Sequence, residues 1–284
     1  TGDTYTGWDS LFWFWEDMYD MVVQVYEDNG VASKPRFAGL NLAAYSNDIM
    51  ERYISFCVEH NCMPDVVTWH DLSTWQFNAF DAEYSHYRSL EEKYLTEENA
   101  ERYGVDITPR EIVINEYAAQ AECASPGDLV RWIGLFEEYN VAGCLPFWHL
   151  SNNLNGLAAG NNEGNGAWWL YKWYGDMSGQ YLPVTTSNTS KDNYYGAASL
   201  DENKKSSSII FGGVNGSGNI VLEDVNDTET FADANMIHVK LEATDYTGFH
   251  GAAEEPRVVK EGAAEVGDGK AGIPGSGMPE MSVT

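Results

Sequence analysis

The sequence predicts an α/β fold, with a parallel sheet built over residues 1–182 and an all-β region over residues 183–284. Three observations lead there. Short β-branched runs alternate with stretches of helical periodicity through the first part of the chain. Equivalent strand positions, Phe37 and Val67 and then Val113 and Ala142, recur about thirty residues apart, the length of one βα repeat. Beyond Pro183 helical patterns stop, and Ser, Thr, Asn and Gly increase around short apolar runs.

Taken in order, residues 11–28 place apolar side chains at helical spacing and stop at Asn29-Gly30, a C-terminal cap. Arg36 to Leu42 is a short strand, Asn47 to Glu59 a helix with Asp48 near its start, and Pro64 to Trp69 a second strand. Asp81 to Tyr94 is an amphipathic helix, and the polar stretch Thr96 to Arg110 leads into the strand Glu111 to Tyr117. Asp128 to Tyr139 is helical after the turn at Pro126-Gly127 and feeds the strand Val141 to His149. A polar Asn- and Gly-rich loop, Ser151 to Gly166, precedes the aromatic helix Ala167 to Tyr174. A helix followed by four βα alternations implies a parallel sheet with right-handed crossovers. In the second region Ser207 to Val214, Asn219 to Val225 and Met236 to Thr244 are strands of a sandwich, and Gly262 to Thr284 carries no strand pattern.

Charge narrows the partners. With 16 Lys+Arg against 44 Asp+Glu the formal net charge is −28, a surface that repels nucleic acid and anionic membranes. No apolar run approaches the length that spans a bilayer. The cysteines, Cys57, Cys62, Cys123 and Cys144, have neither zinc-ligand spacing nor a CxxC pair; buried thiols fit them, and a Cys57–Cys62 bridge is compatible with their spacing. No His, Asp and Glu cluster has ligand spacing and no Gly-rich phosphate loop follows a strand, so neither a metal nor an organic cofactor is expected.

The chemistry-bearing stretch is Glu111-Ile-Val-Ile-Asn-Glu-Tyr117. A buried parallel strand tolerates an acid only where it leaves the core, so Glu116 belongs at the strand end, where α/β enzymes keep their catalytic groups. The following strand ends in Phe147, Trp148 and His149. A carboxylate beside an indole at neighbouring strand ends suggests a sugar site, because Trp offers a flat apolar face to a pyranose ring. The competing expectation makes Glu116 a rim residue paired with Lys or Arg.

The segments PDVVTWHDL (64–72), EIVINEY (111–117) and VAGCLPFWHL (141–150), with a Trp-rich helix and a β-region after them, resemble the second half of a clan A glycoside hydrolase. Family 39 and its relatives, the β-xylosidase and α-L-iduronidase group, are the nearest in pattern. The resemblance implies strands five to eight of a (β/α)8 TIM barrel over residues 1–182, a β-sandwich over 183–284, and hydrolysis of a carbohydrate with retention, in an extracellular or cell-surface setting. It makes Glu116 the nucleophile, Trp148 the stacking aromatic, and His70, Asn115 and His149 contacts for sugar hydroxyls. Asp71 is expected to be a loop or cap residue. The glutamate that serves such enzymes as acid/base, after an asparagine at the end of strand four, has no counterpart here. The chain is therefore expected to be the C-terminal part of a larger hydrolase, or to have its other half supplied by a second chain. A non-catalytic carbohydrate-binding or structural module on the same fold is the alternative.

Overall fold

The computed structural model describes residues 7–145, 156–159, 163–186, 195–213, 218–275 and 281–283. The expected site residues Trp148 and His149 lie outside them. Two compact units emerge from the packing, 1–117 with 141–144, and 118–140 with 145–284.

In the first unit α1 (Trp8–Asp28) leads to β1 (Ala38–Leu42), α2 (Asn47–Glu59), β2 (Val66–Asp71), α3 (Gln76–Tyr94), α4 (Glu97–Tyr103) and β3 (Glu111–Tyr117). The chain then leaves for the other unit and returns as β4 (Ala142–Gly143). The four strands form one parallel sheet in the order β1-β2-β3-β4, the arrangement right-handed βαβ units generate. No barrel is closed among the described residues; β1 has β2 as its neighbour on one side.

Local signals explain the helix limits. Ser46 caps α2 through Ile49 N–H, and Thr96 caps α4 through Asn99 N–H, each satisfying a backbone donor that the first turn leaves free. α4 ends at Gly104 in the left-handed region. This helix falls inside the stretch 96–110, which the sequence marked only as polar; that composition hid a capped turn with Glu97 and Glu98 at its start. α3 begins at Gln76, five residues before the predicted start, because the Gln76 side chain is spent inside the protein.

Helices α1, α2 and α3 cover one face of this sheet. Gly39 of β1 lies under the Trp15 and Tyr53 rings, where an added Cβ would stand 2.7 Å from the indole. Met50, Tyr53, Ile54, Val67, Trp69, Phe80, Tyr87 and Ile114 are fully buried and make this core. Trp15 Nε1 donates to Cys62 O at 2.8 Å, so the buried indole keeps a polar partner. All four cysteines are free thiols, Cys144 exposed and the others buried.

The second unit holds α5 (Pro126–Tyr139) and α6 (Gly166–Asp176), then β5 (Gln180–Leu182), β6 (Val184–Thr186), β7 (Tyr195–Asp201), β8 (Ser206–Gly212), β9 (Gly218–Leu222), β10 (Met236–Ala243), β11 (Arg257–Gly267), β12 (Lys270–Gly275) and β13 (Met281–Val283). Three strands pair as β5-β7-β8 and six as β10-β11-β12-β9-β13-β6. Packing divides the chain elsewhere than at residue 182 because α5 lies against β7 and β8: a Cβ on Gly134 would meet Gly196 O at 2.3 Å. The segment expected to lack strands contains β12, β13 and part of β11. Asp268 and Gly269, both at positive φ, form the tight turn that joins β11 to β12, an Asp-Gly hairpin signal. β11 is mostly exposed and polar, so its own hydrophobicity gives no strand pattern; its order comes from eight register pairs with β10.

Because helix and strand backbones meet at Gly134, a Gly134→Ala variant is expected to unfold with about 1–3 kcal/mol less stability in denaturant titration. An unchanged midpoint would show that α5 does not sit on β7.

Candidate active site at the strand ends

The site is made by the carboxyl ends of β1, β2 and β3. Along β2 and β3 the parallel register runs Thr68↔Val113 and Trp69↔Ile114, then skips Asn115 to give His70↔Glu116. The same happens on the other side of β2, where Leu40↔Thr68 is followed by Leu42↔Trp69 and Asn41 is the extra residue. Asn41 adopts φ 69°, a left-handed conformation that Asn tolerates better than most side chains.

Side chains alternate between faces with period two, so an extra residue in β3 re-aims the side chains after it. In an unbroken register Glu116 would align with Asp71, whose side chain is buried beneath α3. With the bulge it aligns with His70. His70 Nδ1 stands 3.3 Å from Glu116 Oε2, with the Glu116 side chain 38% exposed and that of His70 16%. Across β2, Asn115 Nδ2 donates to Asn41 Oδ1, joining the two bulges.

The opposite face of the β2 end has different chemistry. Asp71 is wholly buried; it accepts from Trp69 Nε1 at 3.2 Å and from Gln76 Nε2 at 3.0 Å. Asp71 also faces the Glu83 carboxyl of α3. Burial, with Glu83 as a neighbouring negative charge, pushes the Asp71 carboxyl up to about 9, and burial raises Glu83 to about 7. Two acids in so dry a place hold a proton between them near neutrality. Gln76, itself 1% exposed, also donates to His70 O at 3.2 Å and accepts from Ser73 N–H at 2.8 Å. Asp71 is thus a strand-end residue facing the helices, not a loop or cap residue; a side chain this deep is invisible in the polar string His-Asp-Leu-Ser-Thr.

Of the sequence-predicted residues, Glu116, His70 and Asn115 come together, while Trp148 and His149 lie outside the described residues. Asn41, Asp71, Gln76 and Glu83 were not anticipated as a group. Only the Asn at the end of an apolar run, Gly-Leu-Asn-Leu, carried a sequence signal for Asn41. Glu116 faces a histidine, and the paired Lys or Arg of the competing expectation is not found beside it among the described contacts. Two clefts, of about 460 and 250 Å³, are lined by other residues: the first by α1 and α2 side chains with Tyr94, the second by Glu137, Tyr174 and Tyr181 with their neighbours. Among the described residues no group of three metal-ligating side chains converges, and no helix is long and apolar enough to cross a membrane.

No family model matches the chain. It is similar to a 3-O-alpha-D-galactosyl-alpha-L-arabinofuranosidase from Bifidobacterium longum subsp. longum, 30% identical over an alignment of 264 residues, with coverage of 86% of this chain and 22% of that protein. It is also similar to a 3-O-beta-L-arabinopyranosyl-alpha-L-arabinofuranosidase from Bifidobacterium pseudocatenulatum, 27% identical over 267 residues, covering 86% and 26%. The chain spans about a quarter of the length of these curated relatives. In three dimensions it is similar to the structure of N2152 from Neocallimastix frontalis, with a TM-score of 0.79, 26% identity, and coverage of 95% of this chain and 62% of that one. The named relatives are glycoside hydrolases, arabinofuranosidases and not members named as β-xylosidases or iduronidases.

Asp71 and Glu83 both bind protons more tightly folded than unfolded, where they titrate near 3.8 and 4.5. Their contribution to stability is therefore full below about pH 4 and is lost as pH rises through about 7 and about 9. An Asp71→Asn variant is expected to lose less Tm than the parent between about pH 6 and about pH 9. An equal loss in both would mean that Asp71 is not held protonated.

Proposed function

We propose that the chain is the nucleophile-bearing part of a retaining glycoside hydrolase that acts on sugars containing an arabinofuranosyl unit. The observation that carries this reading is the His70–Glu116 pair: an accessible carboxylate at the end of a parallel strand, faced by an imidazole instead of a permanent cation. Parallel α/β sheets collect their ligands at this end. The similarity to two arabinofuranosidases supports the sugar in preference to the xylose suggested by the family resemblance. Both of their names specify a second sugar joined at O3, so the substrate class taken over here has two rings.

In this reading Glu116 attacks the anomeric carbon as the bond to the leaving oxygen breaks, forming a glycosyl ester that water then cleaves. His70 Nδ1, on the Oε2 side, holds one carboxylate oxygen and leaves the other to attack. Asn115 and Asn41 offer amides to ring hydroxyls, and Trp148 and His149 complete the sugar contacts. A second carboxyl, about 5–5.5 Å from the first, has to protonate the leaving oxygen and later activate the water. Asp71 is unsuited to this, since it faces the helices from beneath the strand end. We assign the role to polypeptide adjoining the free side of β1, either a preceding segment that completes a (β/α)8 barrel or a second chain. β1 to β4 are then its strands five to eight, and the two sheets of the second unit, one of them mixed, are its sandwich. An acidic surface and a glycan substrate fit an extracellular or cell-surface setting.

An aryl arabinofuranoside with a dinitrophenyl leaving group needs no protonation, so its cleavage reports the nucleophile by itself. Glu116→Gln is expected to lower that rate by about 10³-fold or more while retaining affinity for the sugar. Equal rates in parent and variant would remove Glu116 from the chemistry, and sugar binding without any cleavage would favour the non-catalytic module.

A further inference from the structure

Trp75 is 59% exposed, in the loop after β2 at the end of the sheet bearing His70 and Glu116. An indole left this far in water forgoes a large apolar burial, and it is free to fold inward only if its backbone is slack. Here the backbone is tied on both sides. Gln76 N–H donates to Ser73 O at 2.9 Å, Ser73 N–H donates to Gln76 Oε1 at 2.8 Å, and Asn78 N–H donates to Trp75 O at 3.1 Å. The adjoining Gln76 and Phe77 take the inward positions, at 1% and 3% exposure. Gln76 Nε2 then reaches His70 O at 3.2 Å, so the residue that pins Trp75 outward also pins the strand end beside Glu116.

We infer that Trp75 is a stacking platform for a second sugar ring, next to the ring that is cleaved at Glu116. This rests on the two-ring substrate class proposed above. A ring with axial hydrogens on one face lies against an indole by apolar contact while its hydroxyls remain in water, which suits an exposed indole. Holding the indole in place before the sugar arrives lowers the ordering cost of binding. The platform distinguishes disaccharide from monosaccharide, since only the former reaches beyond the nucleophile.

The test is titration of the tryptophan-labelled chain with α-D-galactosyl-L-arabinose and with L-arabinose, following indole N–H signals by NMR and affinity by calorimetry. Trp75, assigned from the signal lost in Trp75→Phe, is expected to shift with the disaccharide. Trp75→Ala is expected to weaken disaccharide binding about tenfold more than arabinose binding, and Trp75→Phe to recover most of it. An unmoved Trp75 signal at saturation, as when other polypeptide covers the indole, or a Trp75→Ala chain with parental disaccharide affinity, overturns the inference. Failure of the glycosidase reading shows separately: Glu116→Gln would then cleave the dinitrophenyl substrate at the parental rate, whatever Trp75 does. Because Trp75 lies outside the core, its variants are expected to keep the parental Tm, which checks that a lost signal is not lost folding.

Discussion

The whole arrangement at the strand ends depends on one extra residue in β3. Residues that pair across a parallel sheet point to the same side, so the position at which the register slips decides which face each later side chain joins. With Asn115 bulged, Glu116 joins His70 on the open face. Remove that slip and Glu116 falls opposite Asp71, in the dry layer under α3. The corresponding slip at Asn41 of β1 makes β2 the straight member between two bulged neighbours, and the amides of Asn41 and Asn115 close over it. Bulges of this kind end regular pairing and re-aim side chains, which is why they gather where a sheet presents chemistry.

The two faces of the β2 end therefore carry opposite electrostatics. On one, an accessible carboxylate sits against an imidazole in contact with water. On the other, burial keeps Asp71 protonated and couples it to Glu83, so two acids add less charge to the core than their formulae imply. Gln76 links the faces, since its amide group bonds both the buried Asp71 carboxyl and the His70 carbonyl. A polar network in a core is stabilising only when its members are satisfied, and Gln76, which links the two faces, has both its amide nitrogen and its amide oxygen bonded.

Much of this was legible in the sequence. Ile112-Val113-Ile114 is apolar on both sides of the strand axis, so an acid directly after it belongs at the strand end, where Glu116 stands. The helix Asn47–Glu59 was legible too, whereas α5 starts at Pro126, two residues before the Asp128 read from the sequence, with Ser125 accepting from Asp128 N–H as its cap. The register slips were not legible, because a bulge is a relation between two strands and Asn115 has the same local pattern with or without it. Nor was the Asp71–Glu83 pair, whose members are twelve positions apart and polar in any one-dimensional profile. β11 escaped for a third reason: its strand state depends on β10, although Asp268-Gly269 announced the turn at its far end. Neither the β3 strand nor its neighbours specify a sugar, and the arabinofuranosyl unit proposed above rests on the similarity to arabinofuranosidases.

A carboxylate that acts as a nucleophile becomes covalently attached to the sugar for part of each cycle, and fluorine beside the anomeric carbon slows its release. Treating the protein with a fluorinated arabinofuranosyl reagent bearing an activated leaving group, then mapping the adduct by peptide mass spectrometry, locates the attacking carboxylate. A single ester on Glu116 is expected. An adduct on another residue, or continued turnover with no adduct at all, would contradict it.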